Sequence, residues 1–185
     1  MEYRRPSSSD FDKIVALQNS NLASALKQSE QLDGFLTASF SAQQFQAMDN
    51  DLCVVVCTEA EQMIGYACAS SIEYNKSIPL IATMLKYFPM ITYKNKSLAT
   101  YHSFIYGPVC IDKGYRGKGI LHPLFKKILE FLLHEHQQLE LLTTLISIEN
   151  TRSLNAHEKL GMEIVGQFEF NEKAFCILVF PINKQ

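Results

Sequence analysis

The strongest constraint on the fold lies between residues 102 and 148, where four elements follow one another closely. HSFIYGPVCID (102–112) has the composition of a strand, and KGYRGKGI supplies a glycine-rich turn. LHPLFKKILEFLLHEH (121–136) carries apolar residues at helical spacing, and LELLTTLISI (139–148) is a second strand. A helix that connects two strands in this way forms a crossover unit. We therefore expect the two strands to be parallel, with a right-handed connection.

The patterns elsewhere in the chain favour antiparallel pairing. LCVVVCT (52–58) and MIGYACASSIEY (63–74) are separated by a short turn and predict a hairpin. MEIVGQFEF and AFCILVF, joined by NEK, predict another. Residues 2–6 form a short extended start. Helices with capping residues are predicted at 10–17, 41–48, 79–88 and 150–160. The sequence thus predicts an α/β fold with a mixed, mostly antiparallel central sheet of about seven strands and helices on both faces.

Length and charge limit what such a domain can do. The chain has 185 residues, which suits a single domain spanning 1–185, with an insertion at about 75–101. Its 17 Lys and Arg residues against 19 Asp and Glu residues give a net charge of −2, a poor footprint for nucleic acid or an anionic membrane. No run approaches 18 apolar residues, and no secretory signal is visible. We expect neither nucleic-acid nor membrane partners.

The five cysteines favour a reducing compartment. Their number is odd, they lack CxxC spacing, and they lie within apolar runs at Cys53, Cys57, Cys68, Cys110 and Cys176. Buried thiols explain this pattern more simply than disulfides or a metal site do. The sequence therefore predicts a cytoplasmic protein without a bound metal.

The glycine-rich turn has the makings of a phosphate site. Gly114, Gly117 and Gly119 let the backbone approach a ligand, and the following helix directs its positive end at the same place. Arg116 and Lys118 add positive charge. The turn fits neither the Walker pattern nor a dinucleotide GxGxxG near a first strand. The alternative is an ordinary strand-to-helix turn with a solvated basic tip.

YRGKGI (115–120) follows the strand IYGPVCI, and ENTRSLNAHEKLGMEIVG covers residues 149–166. These two motifs resemble those of the GCN5-related N-acetyltransferase (GNAT) superfamily. YRGKGI after the strand IYGPVCI resembles its acyl-CoA-binding signature, Arg/Gln-x-x-Gly-x-Gly/Ala. Arg116 and Gly119 match the first and fourth positions, whereas Leu121 replaces the usual small residue at the sixth. ENTRSLNAHEKLGMEIVG (149–166) resembles the family's second region, with His157 where many members have Tyr. Five further residues of this region match the family pattern, namely Asn150, Ser153, Lys159, Leu160 and Gly161. Met162 stands where many members have Phe.

The resemblance implies a fold and a cofactor site. In an acyl-CoA N-acyltransferase-like fold the two parallel central strands splay apart, and acetyl-CoA serves as co-substrate in the gap. Val109, Cys110 and Ile111 would then pair with the pantetheine arm, and an amide near Val109 would face the thioester carbonyl. Asn150 would hydrogen-bond the same arm. The pyrophosphate would lie on Arg116, Gly117, Lys118, Gly119, Ile120 and Leu121.

The resemblance also implies where catalytic groups would lie. His157 occupies the position of the acid that protonates the departing thiolate, although it could instead pack on its helix or hydrogen-bond the pantetheine. Glu149 is the first candidate for the base, and a solvated surface position is its alternative. Tyr106 and His102 are further candidates for the base. A buried strand cysteine such as Cys110 is more often a core residue than a nucleophile, and the resemblance implies direct transfer in a ternary complex.

The acceptor stays open at this stage. The stretches 20–50 and 75–101 carry aromatic residues that predict either a lid over the acceptor site or a packing element or dimer surface: Phe35, Phe40, Tyr87, Phe88, Tyr93 and Tyr101. We expect a small-molecule or peptide amine as acceptor, and a monomer or homodimer. The main prediction is acetyl transfer from acetyl-CoA to a primary amine. A catalytically silent acyl-CoA-binding or regulatory module is the alternative.

Overall fold

The computed structural model describes residues 1–31 and 34–182; Leu32 and Asp33, inside the predicted 20–50 stretch, and residues 183–185 of the predicted domain lie outside this part. Its strands are β1 (Glu2–Arg4), β2 (Cys53–Glu59), β3 (Gln62–Ser70), β4 (Thr92–Tyr93), β5 (Lys96–Ser97), β6 (Ser103–Ile111), β7 (Leu141–Ser147), β8 (Glu163–Phe170) and β9 (Lys173–Pro181). Its α-helices are α1 (Asp10–Asn19), α2 (Gln28–Gln31), α3 (Ala42–Asp51), α4 (Ile72–Asn75), α5 (Pro79–Tyr87), α6 (Leu121–Glu135) and α7 (Thr151–Lys159).

The predicted mixed, mostly antiparallel sheet is confirmed. Seven strands pair in the order β1-β2-β3-β6-β7-β9-β8, and β4 pairs separately with β5. The hairpins β2–β3 and β8–β9 are antiparallel, as predicted. β6 and β7 are parallel over the pairs Ser103–Leu141 to Ile105–Thr143, with α6 between them in sequence. The predicted splaying of these two strands beyond those pairs stays a prediction.

One predicted strand is too long. The pattern MIGYACASSIEY suggests a strand to residue 74, but β3 ends at Ser70. Ser71 has an extended backbone, and its side chain accepts a hydrogen bond from the Tyr74 amide at 3.1 Å, which caps α4. The local hydrogen bond of a serine competes with strand pairing, and it ends the strand here.

The chain forms two compact units, and the first comprises Met1–Ser70 and Tyr106–Gln137. Helices α1, α3 and α6 pack against β2 and β3 in this unit. Its core includes the fully buried side chains of Ile14, Phe45, Met48, Ile64, Leu124 and Ile128. Gly65 fits a close approach of strands, because a Cβ there would lie 3.2 Å from the Cys110 carbonyl oxygen.

A buried acidic side chain also belongs to the first unit. Asp10, the first residue of α1, is 1% exposed. Its Oδ2 accepts hydrogen bonds from Arg4 Nη1 at 2.7 Å, from the Ser7 amide at 2.7 Å and from the Ser7 hydroxyl at 2.8 Å. Burial raises the pKa of Asp10, but these donors outweigh it and lower the pKa to about 2.

The second unit comprises Ser71–Ile105 and Gln138–Gln185. The predicted helix at 79–88 is confirmed by α5, whose apolar side chains are buried in the core of this unit. The core combines residues of the insertion with residues of the sheet, namely Leu80, Ile81, Met84, Phe88, Tyr93, Leu98, Ile105, Leu141, Phe168, Phe175, Ile177 and Val179. For the insertion the sequence left open a lid, a packing element or a dimer surface, and the burial of these side chains supports the packing element.

The tight turns of the hairpins are made without glycine at their tips. Ala60 and Glu61, between β2 and β3, have φ of 47° and 67°. Asn171 and Glu172, between β8 and β9, have φ of 49° and 62°. Two successive positive φ values are the geometry of a type I′ turn, which matches the twist of the flanking strands.

The cysteines occupy the interior, as predicted. All five thiols are buried and none forms a disulfide among the described residues. No helix in the described ranges has the length and apolar character needed to cross a membrane.

Candidate functional site

The glycine-rich turn connects β6 to α6 and lies in the first unit. After β6 ends at Ile111, Asp112 accepts a hydrogen bond from the Gly114 amide at 2.8 Å and starts a short turn of 3₁₀-helix at Lys113–Tyr115. Gly117 and Gly119 follow, with φ of 79° and 78°. L-residues rarely adopt this left-handed conformation, so both positions favour glycine.

The turn opens onto the start of α6. Ile120, the residue before α6, makes no capping hydrogen bond with its side chain. The space beside Gly119 is open, because a Cβ there would meet no atom within 4 Å. The amides of the first helical turn have no intrahelical acceptors, and the helix dipole makes this end positive. Exposed glycine backbone, open space and a helix N-terminus together fit a phosphate group.

Lys118 and Leu121 complete the predicted loop. The Lys118 side chain is exposed, with Nζ 4.6 Å from the centre of the Tyr115 ring. Leu121, which replaces the usual small residue, is the first residue of α6 and is half-buried. The replacement of a small residue by Leu121 changes the side chain and not the backbone amide at the start of α6.

Arg116 differs from the simple expectation of a cation directed at phosphate. Its Nε donates to the Ile111 carbonyl at 3.0 Å and its Nη1 donates to the Gly34 carbonyl at 3.1 Å. Its Nη2 donates to Asn21 Oδ1. The guanidinium therefore holds protein oxygens in three separate segments. Asn21 and Gly34 carry no sequence signal for this role, and sequence reasoning missed them.

The strand before the turn carries the residues predicted to pair with pantetheine. Cys110 is buried, whereas Val109 and Ile111 are half-buried. Burial raises the pKa of the Cys110 thiol to about 12, so the thiol is protonated at neutral pH. Tyr106 is fully buried with its ring edge-on to Phe125 at 5.1 Å. Burial also raises the pKa of Tyr106, which makes it a poor base.

Asn150, Glu149 and His157 lie in the second unit, where β7 leads into α7. Asn150 is 7% exposed, and its Oδ1 accepts a hydrogen bond from the Ser153 amide at 3.2 Å. It therefore caps α7. Glu149, two residues beyond β7, is exposed. His102 is also exposed, and its ring contacts that of Phe104.

His157 is a buried histidine with a fixed tautomer. It is 5% exposed, and its Nδ1 lies 2.8 Å from the Ser153 carbonyl oxygen. A carbonyl oxygen only accepts, so Nδ1 carries the proton and donates it. Burial lowers the pKa of His157, more than the bond to Ser153 raises it. The imidazole is therefore neutral at pH 7, with its proton on Nδ1, and Nε2 is the nitrogen that can accept a proton.

The predicted residues thus fall into two groups, one in each unit. Val109 to Leu121 surround the turn in the first unit, together with Tyr106 on the same strand. Glu149, Asn150 and His157 lie within nine residues of one another in the second unit, joined through the backbone of α7. Within the part of the chain that the structure describes, no group of three potential metal ligands occurs.

Comparison with known families decides the relationship. The sequence model of the acetyltransferase (GNAT) family matches residues 19–162, more than three quarters of the chain. The chain belongs to the GNAT family. Membership supports acetyl-CoA-dependent N-acetyl transfer as its general chemistry. No curated protein sequence matches the chain closely enough to count as a relative.

Solved acetyltransferase structures share its fold. The yncA protein of Salmonella typhimurium, solved with its cofactor acetyl-CoA, has a TM-score of 0.65 at 13% identity, over 100% of this chain and 95% of that one. The ribosomal-protein-S18-alanine N-acetyltransferase of Escherichia coli has a TM-score of 0.64 at 10% identity, over 100% and 95% of the two chains. An acetyltransferase of the GNAT family from Streptococcus pneumoniae has a TM-score of 0.64 at 13% identity, over 98% and 99%. At these identities the similarity shows the fold.

Proposed function

We propose that this GNAT protein transfers the acetyl group of acetyl-CoA to a primary amine by direct attack in a ternary complex. The observation that carries the proposal is the turn between β6 and α6. Gly117 and Gly119 hold a backbone that few other residues can adopt, and the turn ends at an uncapped helix start. An ordinary connecting turn needs neither two left-handed glycines nor open space beside the second.

The family resemblance implies the contacts of the cofactor. The amides of Gly117, Gly119, Ile120 and Leu121 would hold the pyrophosphate together with the side chain of Lys118, whose own amide donates to the Tyr115 carbonyl at 3.4 Å. Val109, Cys110 and Ile111 would pair with the pantetheine arm, and Asn150 would hydrogen-bond it. Bound acetyl-CoA would supply the acetyl thioester, whose carbonyl carbon forms the new C–N bond as the C–S bond breaks.

His157 would handle a proton at Nε2. Its Nδ1–H is committed to the Ser153 carbonyl, which fixes the orientation of the ring. The neutral imidazole would take a proton at Nε2 from the nitrogen of the attacking amine as the C–N bond forms, and the resulting imidazolium is a strong acid because burial lowers its pKa. That proton would go to the departing thiolate, as the family resemblance implies.

Glu149 is the proposed base for the ammonium group of the acceptor. Its exposure leaves the carboxylate within reach of a substrate proton, directly or through water. Full burial makes Tyr106 a poorer choice, and His102 remains a further candidate. The protonated Cys110 thiol favours direct transfer over an acyl-thiol intermediate.

The test combines binding and turnover. Acetyl-CoA binding is measured by calorimetry, and CoA release is followed with a panel of polyamines, amino acids, aminoglycosides and peptides. Binding together with amine-dependent CoA release supports the proposal. Binding without release from any amine favours the silent module, for which Leu121 and His157 are the departures from the family pattern. Absence of binding contradicts both functions.

The setting of the reaction is also part of the proposal. We propose a monomer or homodimer that acts in the cytoplasm on a small-molecule or peptide amine. Five buried thiols without disulfides support a reducing compartment. The net charge of −2 argues against nucleic acid as a partner.

A further inference from the structure

Arg116 connects the candidate pyrophosphate loop to a distant part of the first unit. Of its three described acceptors, the Ile111 carbonyl belongs to β6, next to the loop. The other two, Gly34 O and Asn21 Oδ1, lie more than 80 residues away in sequence. Both belong to the α1–α3 segment, defined here as residues 20–31 and 34–41.

Asn21 presents its oxygen to Arg116 in a fixed orientation. The side chain is 3% exposed, and its Nδ2 donates to the Leu17 carbonyl at 2.8 Å. The amide group therefore cannot turn without losing that bond, and Oδ1 stays directed at the guanidinium. An oxygen this deeply buried needs a donor, and Arg116 supplies a charged one.

Hydrogen bonds attach the α1–α3 segment at two places. Asn21 and Leu36 are joined by a bond from the Leu36 amide to the Asn21 carbonyl at 2.8 Å, and the Ala23 amide donates to the Leu36 carbonyl at 3.0 Å. At the far end, the Gln18 side chain donates to and accepts from the Phe40 backbone, at 2.8 Å each. Arg116 contacts this segment at Asn21 itself and at Gly34, two residues before Leu36.

The neighbouring ion pair contributes little to the attachment of the α1–α3 segment to the loop. Lys113 Nζ lies 3.3 Å from Glu30 Oε1, but both side chains are well exposed, at 68% and 41%. Exposed ion pairs of this kind contribute little to stability. The attachment of the segment to the loop therefore depends on the planar, three-way geometry of Arg116, which a lysine ammonium cannot reproduce.

We propose that Arg116 is a positioning residue rather than a phosphate ligand: it fastens the α1–α3 segment to the candidate acetyl-CoA loop, so that cofactor binding tightens that segment. This inference rests on the proposed function. Because the loop backbone carries the guanidinium, a ligand that immobilises the loop also restrains Asn21 and Gly34. Coupling of this kind needs no large movement, only a loss of local opening.

The test measures amide hydrogen exchange of Ala23 and Leu36 in wild type, Arg116→Lys, Arg116→Gln and Asn21→Leu, with and without acetyl-CoA. In all three variants we expect these two amides to exchange about tenfold faster than in wild type, since each variant removes a buried hydrogen bond. We expect acetyl-CoA to slow the exchange of these two amides in wild type. In the variants we expect acetyl-CoA to slow it much less. Lys126→Gln, which removes an exposed charge from α6, is the matched control and should behave as wild type.

The outcomes separate the two roles of Arg116. A phosphate ligand would tolerate Lys, which keeps the charge, and would lose acetyl-CoA affinity in Arg116→Gln while exchange of Ala23 and Leu36 stays unchanged; that result overturns the proposal. Unchanged exchange in Asn21→Leu also overturns it. If wild type fails to bind acetyl-CoA, the proposed function fails, but exchange of the two amides without ligand still tests the attachment. If an Arg116 variant does not fold, Asn21→Leu provides the same test.

Discussion

Asp10 shows how one buried carboxylate ties stability to pH. Its pKa of about 2 lies below the ordinary value of 3.8, so the unfolded chain binds a proton more readily. The stabilising effect is therefore complete above pH 3.8 and is lost as the pH falls toward 2. We expect a loss of about 2 kcal/mol across this range. Urea unfolding at pH 5 and at pH 2 measures it.

The matched variant is Asp10→Asn, which keeps the size of the side chain and removes its charge. Its stability should fall by less than that of wild type between pH 5 and pH 2. An acid-induced loss of the same size in both proteins would show that other carboxylates dominate.

His157 invites a second test at a single residue. In His157→Asn the amide nitrogen takes the place of Nδ1, which preserves the bond to the Ser153 carbonyl, but nothing replaces Nε2. We expect turnover to fall about 100-fold, within the usual range for loss of an acid or base, while acetyl-CoA affinity stays within about threefold. Steady-state kinetics and calorimetry measure the two effects. Turnover equal to that of wild type would remove His157 from the mechanism.

The hairpin β8–β9 carries strain that a single substitution should relieve. Glu172 has a φ of 62°, and left-handed backbone costs an L-residue about 1 kcal/mol. Glu172→Gly creates Asn-Gly, the pair that type I′ turns prefer. We expect the free energy of unfolding to rise by about 0.5–1 kcal/mol. Chemical denaturation measures the change.

Glu169→Gly is the control for that prediction. Glu169 is exposed within β8, where glycine only adds freedom to the unfolded chain. This variant should be destabilised by about 0.5–1 kcal/mol. Equal effects of the two substitutions would show that the turn conformation is not the cause.

Elements with a clear period or a clear cap were predictable from the sequence. The apolar positions of α6 and the alternation in β8 and β9 predict their elements to within a few residues. The end of β3 could not be predicted, because the residues after Ser70 have a composition typical of a strand. A hydrogen bond to the Ser71 side chain ends the strand there. Asn21 and Gly34 were missed because their role depends on a contact with Arg116 across about 80 to 95 residues.

At the scale of the whole molecule, binding and folding are linked. A ligand that binds only the folded state adds about 2.7 kcal/mol at 100 times its Kd. For a chain of this size we therefore expect acetyl-CoA to raise Tm by about 5–10 °C at that concentration. Differential scanning fluorimetry with an external dye measures the shift.

The control for the Tm shift is a variant of the glycine-rich turn. Gly119→Val places a branched side chain at a φ of 78°, next to the predicted pyrophosphate. Its Tm should change little on addition of acetyl-CoA. A full Tm shift in this variant would show that acetyl-CoA binds elsewhere in the protein.

The buried cysteines make one common assay unusually direct. Every thiol of the chain is at most 4% exposed, so aromatic disulfide reagents should leave the folded protein almost untouched. The coenzyme A thiol released by turnover would then be the fast-reacting species in the cuvette. Colour that appears only after urea is added would measure the cysteine thiols of the unfolded fraction. One reagent can thus report product in one experiment and opening of the fold in the next.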